Sequence, residues 1–443
     1  MRHINKKDLF HILKKIIPLS SNIGILIAYR ILLVSILSDF DESYSIAASH
    51  ILVALGLLAF PYYFSTGTAL QIKRKIAEKF DKMHILNTIY VSLFLNMALS
   101  LGTSYLFYFY TKDALELLNQ PPEIISPTVH FVQNYSKGLV FYSLIHCFQH
   151  ILIGLNRVSH SSYMNIFSHG LHLFSIWMYF IYLKNYQDVD FKDLDYSWYQ
   201  PLIFSGCSIL ILGYAYSKNY FHNKMYINLK WRDLQFEIIK IFKISFPSAI
   251  QNIHGTVVHL SHVVLIGVLE PSLLVIYQTF LKNNLIAFVL MFGTVQAFGL
   301  DSITTILKRN MKAYEKSLQS FFIIFGILLF IISLIFYIFL FFEIKHIKNN
   351  VQYYGIIFGF LMMNVSYYVV CIRNILTATL INLKDTVIPP FISTCLSLGL
   401  GIPLSLYLGS TIPILMGISI GVLTHYVVAS FYLLKRMKRL WNT

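Results

Sequence analysis

The chain has 443 residues, of which 12% are charged and 16% aromatic, with a mean hydropathy of +0.62. A soluble protein of this size needs a charged surface, and this composition does not supply one. The net charge of +15 would suit a nucleic-acid partner, but the basic residues sit in short segments between long apolar stretches, where they set membrane orientation instead.

A bilayer-spanning helix needs about 20 apolar residues. In chain order the sequence predicts twelve, over residues 16–38, 45–70, 84–110, 126–155, 159–184, 199–219, 241–268, 272–303, 316–341, 349–382, 386–409 and 412–434. The basic segment MRHINKKDLFHILKK leads into an apolar stretch too long for a signal-peptide core and without a small-residue cleavage site, so the first span is read as permanent. Of the 35 Lys and Arg, 26 fall in the N-terminal segment, the even-numbered loops and the tail, and 5 in the odd-numbered loops. This asymmetry predicts a multi-pass protein of the plasma membrane (the inner membrane of a Gram-negative cell) with both termini cytoplasmic. Cys147, Cys207, Cys371 and Cys395 all fall in predicted spans without CxxC spacing, so neither a disulfide framework nor a metal site is expected.

A weak repeat at an offset of roughly 230 residues divides the chain, by an alignment that rests on short matches. IIPLSSNI near Pro18 matches SFPSAIQNI near Pro247, IKRKIAEK matches LKRNMKAYEK, and IGLNRVSH matches INLKDTVIP. The predicted architecture is an all-α polytopic membrane protein with twelve transmembrane helices in two pseudo-symmetric six-helix lobes. Residues 1–216 form the first lobe, 217–240 a cytoplasmic linker and 241–443 the second. Six spans per half give the halves parallel topology, an arrangement in which transporters hold substrate near the midplane.

Four cations remain inside spans: Arg30, Lys137, Lys282 and Arg373. Arg373 interrupts YYVVCIRNILTATL, and a cation at that depth costs about 2.5–3.5 kcal/mol on insertion scales. Two accounts stand. Either the cations bond to helix-end carbonyls and buried amides such as Asn364 and Asn374, or they line a basic cavity between the lobes that receives an anion. Arginine would grip phosphate or carboxylate with its fork, and lysine would act as a point charge. Asn22, Gln251 and Asn252, near the openings of the halves, are further candidates for substrate contact or for helix locking.

His254, His259 and His262 lie within about a 140° arc of one helix. Histidine relays protons without a permanent buried charge, so these three are ion-coupling candidates as well as candidates for plain packing. The pairs His146/His150 and His169/His172 share helix faces and are read as packing. Asp301 is the main acid within a span; it either pairs with Lys308 or Arg309 at the membrane edge or couples an ion. The GxG in SLGLGIPLSLYLG lies mid-span and is read as close helix packing. No Walker, HExxH or GxSxG motif occurs, so neither ATP hydrolysis nor any enzymatic activity is expected.

Taken in order, KIIPLSSNIGIL, YSIAASHILVALGLLAFPYYFSTGTALQ, PEIISPTVHFVQNYSKGLVFYSLIHCFQHILIGLNRVSH, KISFPSAIQNIHGTVVHLSHVVLIGVLE and NLKDTVIPP resemble the multidrug and toxic compound extrusion (MATE) family, within the multidrug/oligosaccharidyl-lipid/polysaccharide exporter superfamily. The resemblance covers about residues 10–435. It implies a two-lobed, alternating-access antiporter that exports a small organic compound, with no cofactor beyond an H⁺ or Na⁺ gradient, working as a monomer in the lipid bilayer. Many members carry an intramembrane acid on the first, seventh or tenth helix. Here those positions fall near Leu33, His254–Gly255 and Val370, and none is acidic. The missing acids point to an anionic or zwitterionic substrate. A flippase for polyprenyl-pyrophosphate-linked sugars is the alternative, and an integral membrane transferase a distant third.

Overall fold

In the computed structural model, residues 6–442 are described apart from 41, 81, 187–205, 208–230, 271, 272, 309, 346 and 348. The expected sixth span therefore lies outside the described residues, except Gly206 and Cys207. The other eleven fall on helices: α1 (Lys6–Phe40), α2 (Glu42–Leu58), α3 (Phe60–Ala77), α4 (Lys82–Leu117), α5 (Pro122–Gly154), α6 (Val158–Tyr186), α7 (Trp231–Leu269), α8 (Leu274–Leu307), α9 (Met311–Ile344), α10 (Asn350–Asn382), α11 (Ile388–Leu396), α12 (Ile402–Thr411) and α13 (Ile414–Asn442). No strand occurs among the described residues.

Two expected single spans are broken. The second is α2 plus α3, interrupted at Ala59 just before Pro61, which sits in the first turn of α3 where its missing N–H costs nothing. The Pro61 carbonyl accepts from Ser65 Oγ at 3.0 Å and Asn96 Nδ2 at 3.2 Å. The eleventh is α11 and α12 joined by a π-helical turn, Ser397–Gly401, which contains the GxG. A Cβ on Gly401 would lie 2.8 Å from His425 Cγ on α13, so that glycine serves close helix packing as read from the sequence.

Loops and caps follow local chemistry. Asn310 and Asn349 cap α9 and α10 by accepting from Ala313 N at 3.1 Å and Val351 N at 3.0 Å. The repeat appears as equivalent caps. After α5, Asn156 turns left-handed (φ 61°) and Arg157 N bonds Leu152 O at 2.8 Å; after α10, Lys384 does the same (φ 73°) and Asp385 N bonds Leu380 O at 2.9 Å.

The chain divides into two compact units that do not coincide with the lobes expected from the repeat. An N-unit comprises residues 25–249 and a C-unit residues 1–24 with 250–443. Each unit thus includes the first half of a helix whose second half belongs to the other. Within the N-unit, a Cβ on Gly67 of α3 would lie 2.6 Å from Ser245 Cα of α7. Within the C-unit, a Cβ on Gly293 of α8 would lie 2.7 Å from Ser20 Cα of α1. Only glycine allows backbones so close. The two contacts are the same contact, seen once in each half of the repeat.

Only the last part of the expected linker is described. Residues 217–230 lie outside the described residues, and from Trp231 the chain is already helix α7. The reason is amphipathic pairing: Glu237 is buried against Lys75 of α3, with Nζ 2.8 Å from Oε1. Lys75 also donates to His84 O at 3.0 Å, and Thr88 Oγ1 lies 3.4 Å from Glu237 Oε2.

Among the described residues, eight stretches could cross a membrane by length and composition, and of the most apolar 18-residue window in Met311–Phe342 on α9 only 22% is buried. Its outer face carries Phe330, Leu334 and Phe339, as expected of a surface solvated by lipid. Helices α5, α6 and α7 carry most of the buried histidines among the described residues.

Candidate substrate and ion-coupling site

The two arginines are buried, each among side chains of its own unit. Arg30 on α1 is 8% exposed. Tyr63 of α3 and Tyr135 and Tyr142 of α5 lie within electrostatic reach of its guanidinium. Its Nη2 has no hydrogen-bond partner among the described residues. Around it the histidines read from the sequence as two separate packing pairs form one cluster. The rings of Tyr142 and His146 are 4.4 Å apart, Tyr62 and His146 4.8 Å, Tyr29 and His169 4.7 Å, and His146 and His169 5.4 Å. His146 Nδ1 is 2.8 Å from Gln149 Oε1, and Gln149 donates to Asn165 Oδ1 at 2.9 Å. The packing seen by sequence is real, but its centre is a cation.

Arg373 on α10 is 3% exposed. Its Nε and Nη2 donate to Asn374 Oδ1 at 3.0 and 2.7 Å, and its Nη1 lies 3.0 Å from His254 Nε2 on α7. The guanidinium carbon stands 4.8 Å from the ring centroid of Tyr426 on α13. Of the two amides expected to hold it, Asn374 does so, whereas Asn364 is engaged with Asn283 and Ser333. Neither arginine is in a described ion pair.

The other candidates separate. Lys137 was expected at depth as a buried cation; it is exposed on α5, between buried Ser136 and Gly138. The backbone of Lys282 lies on α8, and its side chain falls outside the described residues, as do those of Gln251 and Asn252 on α7. Asn22 is 5% exposed on the part of α1 that belongs to the C-unit. Arg30 and Arg373 thus each stand in a cluster of side chains of their own unit. His254 is 2% exposed and meets Arg373. His259 and His262 converge one turn on, their Nδ1 atoms 3.4 and 3.3 Å from Tyr277 Oη. Asp301 is half-buried on α8, Lys308 is exposed, and Arg309 lies outside the described residues.

Two features escaped sequence reading. The tyrosines around Arg30 look like ordinary aromatic filler until the helices are assembled. Glu237 hid in an apparent linker, although the run DLQFEIIKIF alternates at helical spacing and could have revealed it.

Assembled, these elements define a multi-pass, all-α membrane protein whose described buried polar groups cluster within each of the two units. The MatE family model matches residues 18–178. No match was found among curated proteins. Among solved structures, the chain is similar to a multidrug resistance MATE family transporter of the MOP superfamily in an outward-facing conformation, with 15% identity, coverage of 97% of this chain and 96% of that one, and a TM-score of 0.75. It is also similar to MATE in complex with MaL6, with 14% identity, coverage of 98% and 97%, and a TM-score of 0.75. A third relative is a MOP superfamily transporter from Pyrococcus furiosus, described as having a binding pocket of reversed polarity that suggests a different function. Its identity is 15%, its coverage 97% and 96%, and its TM-score 0.72. The chain has the fold of these MATE structures.

Proposed function

We propose that this protein is a secondary active transporter that carries a small organic anion across the plasma membrane by alternating access. An H⁺ or Na⁺ gradient supplies the energy, and the direction implied by the family resemblance is export by antiport. One observation carries the reading: two arginines are buried within long apolar helices, and no carboxylate is among their partners in the described residues. A buried charge without an opposite partner is costly, and a charge-assisted bond to a substrate oxyanion is the simplest way to offset it. The pocket of reversed polarity described for the Pyrococcus furiosus relative agrees with this direction of thought. The tyrosines around Arg30 would then supply neutral hydrogen bonds.

The test is transport in proteoliposomes of the full chain. A panel of carboxylates, phosphate monoesters and sulfonates is compared with lipophilic cations, under imposed H⁺ and Na⁺ gradients. Gradient-driven movement of anions, reduced at least about tenfold in Arg30→Gln and in Arg373→Gln, is the expected result; tenfold corresponds to about 1.4 kcal/mol, below what a charged hydrogen bond is worth. Cation transport that survives both substitutions would sink the proposal.

A further inference from the structure

At one end of the C-unit, Glu270 follows the last residue of α7 and meets Gln352 in the first turn of α10, whose Nε2 donates to Glu270 Oε1 at 2.6 Å. Both side chains line a cavity of about 230 Å³. The rest of its wall is mainly apolar: Leu273, Ile356 and Leu415 are buried there, beside Pro413. Gly355 lies on the same wall, and a Cβ on it would come within 2.5 Å of Pro413 Cβ, so α10 and the start of α13 meet closely where the cavity forms. Pockets for drug-sized ligands measure about 300–1,000 Å³, so this one suits a smaller molecule. The basic tail of α13, Lys435 to Arg439, lies at the far end of that helix from the cavity, and the basic-residue rule then puts the cavity on the outer side.

A carboxylate offers about four acceptor sites on its two oxygens, and the Gln352 amide takes one of them. An ammonium group can take others as charge-assisted bonds. A hydrocarbon body attached to it would remove Leu273, Ile356 and Leu415 from water, which a bound water or a bare metal ion cannot do. The apolar wall also supplies no side-chain oxygens, whereas a metal ion such as Ca²⁺ takes about six to eight oxygen ligands. We propose that this cavity binds a small primary ammonium compound with an apolar body, reached from the outer side. The proposal goes beyond the anionic-substrate reading and does not rest on it. The charge preference is the opposite one, and sixteen residues of α7 separate Glu270 from His254, about 24 Å of helix.

The probe is phenethylammonium, titrated by calorimetry into the full chain in detergent at neutral pH. Saturable binding of one molecule per chain is expected, weakened at least about tenfold in Glu270→Gln, which keeps the size of the side chain and removes its charge. Phenethyl alcohol, a neutral molecule of the same shape, is expected to bind the wild type at least about tenfold more weakly than the ammonium does. Equal binding of the alcohol, unchanged affinity in Glu270→Gln, or no saturable binding by the wild type overturns the site. None of these outcomes touches the arginine reading, which is decided by anion transport in Arg30→Gln and Arg373→Gln.

Discussion

Arg30 and Arg373 are buried to nearly the same degree, 8% and 3% exposed, yet they are held by different chemistry. Arg373 spends its donors on an asparagine oxygen and a histidine nitrogen and lies against an aromatic face. Arg30 sits among phenols with Nη2 unmatched. The repeat relates the two clusters in a crossed manner. In the N-unit the arginine is on the first helix of the half and the histidine, His146, on the fourth; in the C-unit the histidine, His254, is on the first and the arginine on the fourth. The lesson is that the two halves preserve a cation beside an imidazole without preserving which helix supplies which.

The strongest way to challenge the comparison uses a buried cation of the N-unit that does have a carboxylate, Lys75. Glu237→Ala strands Lys75 and is expected to cost about 3–5 kcal/mol, read as a lowered unfolding midpoint in detergent, while the double change Lys75→Met with Glu237→Met recovers most of it. If the single change is silent, buried charge is not what shapes these interiors. A sharper contrast follows for the arginines themselves. Arg373→Met leaves an acceptor amide and an imidazole unmatched and is expected to cost about 1.5–3 kcal/mol. Arg30→Met removes a charge with an unmatched donor and is expected to be neutral or stabilising, by up to about 1–4 kcal/mol, while abolishing anion transport. Equal losses for the two would erase the distinction. The smallest effect is Tyr426→Leu, which removes the aromatic face from Arg373 and is expected to cost about 0.5–2 kcal/mol in the same unfolding assay.

Much of the fold was legible because membrane insertion is a local test. A stretch such as Met311–Ile344 crosses lipid on its own hydropathy, and a left-handed cap such as Asn156 or Lys384 is set by the residues of its own turn. Legibility failed where helices acquire polar interiors. The sequence of α5 read as a span carrying incidental histidines, because the tyrosines of α1 and α3 that enclose them are distant in the chain. Lys137 failed differently. Its depth along α5 was predicted, but depth does not say which way a helix faces, and a rotation of half a turn separates a buried cation from an exposed one.

By itself the sequence determined the all-helical, twofold-repeated membrane class and the presence of charge where lipid forbids it, since hydropathy and basic-residue placement act over one span at a time. Only the tertiary structure decided which groups answer those charges. Arg373 and His254 are 119 positions apart, and Lys75 and Glu237 are 162 apart. Such partners are chosen by helix rotation and packing, which depend on every neighbouring helix at once.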